Sequence, residues 1–221
     1  MVDETLVLFR QAHPEITFEY FDRWIDSDDE HLRRLVSEGS RPRLPWGAQL
    51  RGFIADPTPT IALLDRLVDD PAIYVRKSVA NHLNDIAKDH PALAIETGAR
   101  WIHEGGETER RAWIVNHGMR SLIKAGNPAA LALVGYDHDA EVLISGFQVS
   151  PDQIRIGDAV SIEFSLTATE STPVMVDYVV HHAGAKGPRH SEARDVVARD
   201  LRQRRVAAAE LVTTVRPPVI R

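Results

Sequence analysis

The spacing of apolar residues changes near residue 136. Before that point apolar residues recur at helical spacing, most clearly in residues 74–91, where Val75, Val79 and Leu83 belong to one stripe. Helices are predicted over residues 3–12, 15–26, 30–38, 47–54, 58–69, 71–89, 91–104 and 107–125, with a short helix ending at Val134. Beyond residue 136 apolar and polar residues alternate, a pattern that predicts strands.

The helical part contains a repeated pattern. Residues 32–38 align with residues 75–81, and residues 76–82 align with residues 111–117. Helix pairs that recur at this spacing are typical of helical repeats, which stack into a curved solenoid. The three equivalent helices are then expected to line one face. The alternative is that the repeated Arg and Asn residues only set the packing within each repeat.

The C-terminal part divides again. Residues 137–186 contain three or four candidate strands. From residue 187 the chain has no aromatic residue and is rich in Arg, Ala and Val. We expect the reading frame to be lost near Lys186; the alternative is a divergent tail in which residues 195–212 form an amphipathic helix. In both cases the sheet is expected to expose an edge.

Charge is unevenly distributed along the chain. The net charge is -6, yet residues 187–221 carry +4, and arginines elsewhere occur in short clusters. A basic stripe on an acidic protein is one interpretation; pairing of these arginines with surface carboxylates is the other. The chain has no cysteine, no apolar run approaching the ~18 residues of a membrane span, and no signal-peptide pattern at residue 1. These features predict a cytoplasmic protein.

Three segments, in this order, resemble a known family: RRLVSEGSRPRLPWG, YVRKSVANHLNDIAKDHP and RRAWIVNHGMRSLIKAGNPAALALVGY. Over roughly residues 3–183 the chain resembles the AlkC branch of the bacterial DNA alkylation repair glycosylases, HEAT-like-repeat proteins related to AlkD. The resemblance implies an α+β multidomain fold, with an α-solenoid of HEAT-like repeats over residues 1–136. It further implies a partial immunoglobulin-like β-sandwich over residues 137–186, followed by the atypical tail of residues 187–221. It also implies about a hundred further residues before Asp3, which would supply the first repeats of the solenoid.

The resemblance places Asp85, Glu38 and Trp46 on positions used for base excision, and Asp3 on a further family glutamate. A base methylated at N3 is cationic and leaves as a neutral group, so the enzyme must mainly stabilise an oxocarbenium-like sugar and deliver water. Carboxylates suit both tasks. An indole face can hold the cationic lesion, at about 0.5–2 kcal/mol.

Each of these residues also has a purely structural interpretation. Asp85 can pair with Lys88 or Arg76, Glu38 can bond to Arg34, and Trp46 can pack against the neighbouring proline. Candidate DNA contacts are Arg33, Arg34, Arg41, Arg43, Arg76, Lys77, Asn81, Asn84, Arg111, Asn116 and Arg120. Three other tryptophans, Trp24, Trp101 and Trp113, lie at apolar helical positions and are expected in the core.

The sequence therefore predicts a DNA glycosylase that excises cationic N-methylated bases such as 3-methyladenine. Its expected partner is double-stranded DNA with alkylated bases, and no metal, cofactor or membrane partner is expected. His181 and His182 would point to opposite faces of a strand and would not hold one metal together. The alternative function is a non-catalytic DNA- or protein-binding HEAT-repeat fragment. A third possibility is a chain without a stable fold, which would show no cooperative thermal transition.

Overall fold

The computed structural model describes residues 13–45, 47–104, 109–137, 139–153 and 158–176, and the backbone of residues 182–184, 187–189 and 205–215. The chain forms two compact units, Met1–Val134 and Gly135–Arg221. The predicted helix over residues 3–12 lies outside the described residues.

The described part of the first unit is helical, as predicted. Its helices are α1 (Pro14–Trp24), α2 (Glu30–Gly39), α3 (Arg51–Ala55), α4 (Thr58–Leu67), α5 (Ile73–Asp89), α6 (Pro91–Glu104), α7 (Glu109–Lys124) and α8 (Pro128–Leu133). Helix α3 begins four residues later than the predicted start at residue 47. The reason is a loop closed by the backbone, in which the N–H of Leu50 donates to the C=O of Pro42 at 2.9 Å.

Helix α5 lies at the centre of the helical core. Val75, Val79 and Leu83 of the predicted apolar stripe are completely buried. Full burial of such a side chain contributes about 1.5–3 kcal/mol to folding. Helix α7 packs against α5 at Gly118, where an added Cβ would lie 2.8 Å from Leu83 Cδ2. The two helices can approach this closely because residue 118 has no side chain.

The second unit contains β1 (Val142–Ser150), β2 (Val160–Pro173), β3 (His182–Gly184), β4 (Gly187–Arg189) and β5 (Arg205–Val215). β1, β2 and β5 form an antiparallel sheet with β2 in the middle, and β3 pairs with β4. Phe164 and Leu166 of β2 are buried in a small core. The β1–β2 register shifts between Ser145 and Gln148, and Gly146 in this bulge has φ +64°, which favours glycine.

The structure corrects one alternative for the tail. Residues 205–215 form a strand paired with β2, so a helix continuing through them is wrong. The alternative failed because a single segment does not reveal a strand partner some forty residues earlier in the chain. The loss of reading frame near Lys186 stays a prediction, which nucleotide resequencing would test.

Candidate nucleic-acid interface and carboxylate cluster

The three helices that the repeat pattern made equivalent, α2, α5 and α7, lie side by side. Between α2 and α5 the Ser78 hydroxyl is 3.0 Å from the Ser37 hydroxyl. Between α5 and α7 the N–H of Ser121 donates to Asn84 Oδ1 at 3.2 Å. The predicted stacking of these helices is therefore confirmed, and it brings residues far apart in sequence onto one surface.

At one end of this surface Arg41 joins two carboxylates. Its Nε and Nη2 lie 2.8 Å and 2.7 Å from Asp85 Oδ2, and its Nη1 donates to Glu38 Oε1 at 2.8 Å. Asp85, Arg41 and Glu38 are only 2%, 6% and 8% exposed. We call these three residues the carboxylate cluster.

Local structure at the end of α2 sets up this cluster. Gly39 is the last residue of this helix, and Ser40 takes the cap position. The buried Ser40 hydroxyl donates to the C=O of Val36 at 2.7 Å, which satisfies a carbonyl that the helix leaves unpaired. The chain then turns so that Arg41, three residues after Glu38, reaches both that carboxylate and Asp85 on α5.

The remaining carboxylate oxygens have partners of two kinds. On the inner side Ser78 donates to Glu38 Oε2 at 2.7 Å and is itself buried. On the outer side Lys88 donates to Asp85 Oδ1 at 3.0 Å, and its side chain is 45% exposed. Arg34 is 3.4 Å from Glu38 Oε2. Asp85 Oδ1 is thus bonded to a solvent-exposed cation, whereas Oδ2 is held by a buried guanidinium.

Several arginines proposed as DNA contacts are engaged with other groups. Arg33 forms two hydrogen bonds with Asp70, Arg43 forms two with Asp89, Arg111 pairs with Asp69, and Arg76 donates to the backbone C=O groups of Asp70 and Pro71. The hydrogen bond from Arg43 lowers the pKa of Asp89, and that from Arg111 lowers the pKa of Asp69. Ion pairing with carboxylates therefore accounts for Arg33, Arg43 and Arg111 in this structure, whereas Arg76 is held by backbone carbonyl groups.

Two further candidates are buried. Arg41 lies within the carboxylate cluster, and Asn84 is 2% exposed with its Oδ1 bonded to α7. Neither side chain is presented to solvent, so the structure corrects their assignment as direct DNA contacts. Their residue types fitted DNA binding, but the sequence does not show which polar residues the neighbouring helices cover.

The other candidates face outward. Lys77, Asn116 and Arg120 are exposed, and Arg34 and Asn81 are partly exposed. Partial burial lowers the pKa of Arg120, while the charges of Asp85 and Arg41 act on it in opposite directions. Arg120 therefore lies near the carboxylate cluster. These outward-facing residues, together with Lys88, form the surface that we call the basic strip.

The structure gives different outcomes for the tryptophans. Trp101 is buried and Trp24 packs against the core, as predicted. Trp113 is 38% exposed, so its assignment to the core is wrong, and it stacks on His117. The spacing of Trp113 from Asn116 and Arg120 places all three residues on one face of α7. This spacing could have revealed that Trp113 is exposed. Trp46 and Asp3 lie outside the described residues.

Two further observations concern metals and membranes. Within the described residues no group of three or more His, Cys, Asp or Glu side chains is arranged to hold a metal ion. None of the helices that the structure describes is long and apolar enough to cross a membrane.

Known proteins similar to this chain agree with both units of the fold. A family model for the C-terminal Ig-like domain of the uncharacterised protein YhaZ matches residues 143–213. The uncharacterised protein YhaZ of Bacillus subtilis (strain 168) is 37% identical over 180 residues, which are 81% of this chain and 50% of that protein. This chain therefore spans about half the length of its curated relative.

A solved structure is also similar. It is the Pseudomonas fluorescens alkylpurine DNA glycosylase AlkC bound to DNA that contains an abasic site analog. The TM-score is 0.84 at 37% sequence identity, over 96% of this chain and 58% of that one. The fold is thus that of a helical-repeat protein with an immunoglobulin-like C-terminal domain. These similarities fit the AlkC-type family.

Proposed function

We propose that this chain is a DNA glycosylase that excises cationic N-methylated bases, such as 3-methyladenine, from alkylated double-stranded DNA. The observation that carries the proposal is the carboxylate cluster, in which Arg41 holds Asp85 and Glu38 together beside the basic strip. The similarity to an alkylpurine DNA glycosylase bound to DNA supports the same activity.

Asp85 is the proposed catalytic carboxylate. A DNA phosphate that pairs with the exposed Lys88 would draw this side chain away from Asp85 and uncover Oδ1. Arg41 would continue to hold Oδ2. The uncovered oxygen would then stabilise positive charge as it develops on the deoxyribose. The bond between C1′ and the base breaks with its electron pair going to the base, which leaves neutral. Water adds to C1′ and gives up a proton, so that an abasic sugar and a free base are the products.

Glu38 has a supporting role in this proposal. Its two oxygens receive hydrogen bonds from Arg41 and Ser78, which hold the carboxylate in one orientation. Its negative charge adds to the field felt by the sugar, and it can orient the attacking water. Trp46 as a lesion contact and Asp3 as a third carboxylate are proposed on the family resemblance alone.

The HEAT-like solenoid would supply the surface for the duplex. Lys77, Arg120 and Lys88 are cations that face outward from neighbouring helices. Such cations bind phosphates without regard to sequence, which suits an enzyme that must find a lesion in any context. The basic stripe, which was one interpretation of the sequence, would then bind DNA, although the chain as a whole is acidic.

A second candidate function is DNA binding without catalysis. The observation that favours it is the 2% exposure of Asp85, whose two oxygens are both bonded to cations. A carboxylate satisfied in this way can simply join α2, its following loop and α5. This candidate predicts DNA affinity without release of a base.

The experiment that separates these functions is incubation of the purified chain with methylated duplex DNA. Free bases are separated by liquid chromatography and compared with a sample without protein. Release of 3-methyladenine above the spontaneous rate supports the glycosylase. Binding of the same DNA with only spontaneous release supports the binding protein instead.

A further inference from the structure

An aromatic pair that the proposed reaction does not use lies beside the basic strip on α7. The rings of Trp113 and His117 on α7 are stacked, with centroids 5.3 Å apart and planes 6° from parallel. Trp113 is 38% exposed, although other apolar residues of the same helix are buried in the core. An exposed tryptophan fixed in one orientation is more typical of a recognition surface than of a surface position chosen at random.

The neighbours of this pair fix it in place. His117 Nε2 lies 3.3 Å from Asn81 Oδ1 on α5, and the backbone C=O of His117 accepts from Arg120 Nη1 at 2.6 Å. Burial lowers the pKa of His117, and the positive charges of Arg120 and Lys77 lower it further. The imidazole is therefore kept neutral at neutral pH. It serves as a flat support for the indole, and two cations suited to phosphate, Arg120 and Lys77, lie near it.

The position of the pair relative to Asp85 follows from helix geometry. Asn81, which contacts His117, is one helical turn before Asp85 on α5, and Trp113 is one turn before His117 on α7. Two turns span about 11 Å. A B-form strand advances ~3.4 Å per nucleotide. A strand that runs along the basic strip with its lesion at Asp85 would thus bring its third neighbouring nucleotide to the level of Trp113.

We propose that Trp113, supported by His117, binds the deoxyribose of a nucleotide about three steps from the excised base. In an intact duplex the faces of the bases are covered by their neighbours, so the apolar surface available to an indole ring is the sugar. The flanking phosphates would be neutralised by Lys77 and Arg120. Trp113 is then a positioning residue that sets the register of the DNA and does not touch the reacting atoms. This inference rests on the proposed function for the location of the lesion.

The variants that test it are Trp113→Ala, Trp113→Phe and a matched control, Tyr20→Ala. Tyr20 is an aromatic residue of α1 with 43% exposure and lies outside the basic strip. Affinity is measured by fluorescence anisotropy with a duplex that carries an abasic analog at its centre. The release rate of 3-methyladenine is measured separately at saturating protein.

We expect Trp113→Ala to weaken binding about tenfold, as for loss of one well-packed aromatic contact, with an unchanged release rate at saturation. Trp113→Phe should restore most of the affinity, and Tyr20→Ala should bind like the unmodified chain. A duplex shortened to one base pair on the side contacted by Trp113 should bind the unmodified chain and Trp113→Ala equally. Two shortened duplexes, one for each side, identify that side.

Equal affinity of Trp113→Ala and the unmodified chain for the long duplex would overturn the inference. So would an equal loss in Tyr20→Ala, or a Trp113→Ala defect that persists unchanged in both shortened duplexes. Failure of the proposed function has a different signature, since it abolishes base release by the unmodified chain whatever the effect of Trp113→Ala on affinity.

Discussion

Arg41 directs two of its nitrogens, Nε and Nη2, at a single oxygen of Asp85, at 2.8 Å and 2.7 Å. This contact fixes one side of the carboxylate and leaves the other, Oδ1, to the exposed Lys88. Arg41 belongs to the loop after α2, whereas Asp85 is on α5. The same ion pair therefore joins two repeats and orients the proposed catalytic group.

The first prediction concerns the stability that Arg41 provides. Replacing it by Met removes the cation shared by two buried carboxylates, and uncompensated burial of this kind costs about 3–5 kcal/mol. Arg41→Met is thus expected to lower the free energy of unfolding by that amount in urea titrations. The control is Arg66→Met, which breaks the exposed pairs with Asp22 and Asp26 and should cost at most about 1 kcal/mol. Similar losses in both variants would contradict this account of the cluster.

The second prediction concerns DNA binding by the basic strip. Arg120→Gln removes one exposed cation near the cluster, so we expect weaker binding to duplex DNA. The slope of log affinity against log salt should fall in magnitude by about 1, as for one lost phosphate contact. Arg66→Gln on α4, which lies outside the strip, should leave the slope unchanged. An unaltered slope in Arg120→Gln would exclude a phosphate contact at this residue.

The third prediction concerns the close packing of α5 and α7. An Ala at position 118 gains helix propensity of about 1 kcal/mol over Gly, but its Cβ meets Leu83 at 2.8 Å. Overpacking of this kind costs about 1–3 kcal/mol. In α3, by contrast, a Cβ on Gly52 has nothing within 4 Å, so Gly52→Ala should stabilise. Thermal unfolding should rank Gly118→Ala clearly below Gly52→Ala, and the opposite order would show that the helices can separate at little cost.

The fourth prediction concerns pH. Because burial, Arg120 and Lys77 lower the pKa of His117 in the folded state, the unfolded chain takes up a proton first as the pH falls. The stabilising contribution of neutral His117 is present above the unfolded pKa of about 6.5 and is lost as the pH falls through the lower folded pKa. His117→Phe keeps a ring against Trp113 but cannot be protonated. Between pH 7 and 5 it should lose less unfolding free energy than the unmodified chain; parallel losses would contradict the prediction.

How much the sequence revealed depends on the range of the interactions involved. The helices and the side-by-side arrangement of α2, α5 and α7 could be predicted. The spacing of apolar residues and the repeated pattern are both visible within short stretches of the sequence. Strand β5 was not, because its pairing with β2 is a long-range property. The start of α3 was misplaced because the backbone hydrogen bond between Leu50 and Pro42 closes a loop that residue types do not show.

The same distinction applies to the candidate site. Residue types and family resemblance selected Asp85 and Glu38, but not the fact that Arg41 lies between them. Arg33 and Arg43 were candidates for phosphate because an arginine looks the same in sequence whether it faces DNA or an aspartate. Trp113 was assigned to the core on its apolar character, although its spacing from Arg120 placed it on the outward face.

The fifth prediction concerns the catalytic role of Asp85 itself. The rate of 3-methyladenine release from methylated duplex is determined with protein in excess, for the unmodified chain and for Asp85→Asn. The matched control is Asp65→Asn, which removes a carboxylate of α4 paired with Arg100 outside the strip. Urea unfolding of all three proteins establishes that each is folded under the assay conditions.

We expect release above the spontaneous rate by the unmodified chain and by Asp65→Asn. In Asp85→Asn we expect the release rate to fall on the order of a hundredfold or more, as for removal of a group that stabilises transition-state charge. Release by folded Asp85→Asn at the rate of the unmodified chain would contradict the catalytic role of Asp85, and would leave the carboxylate cluster as a structural link between repeats.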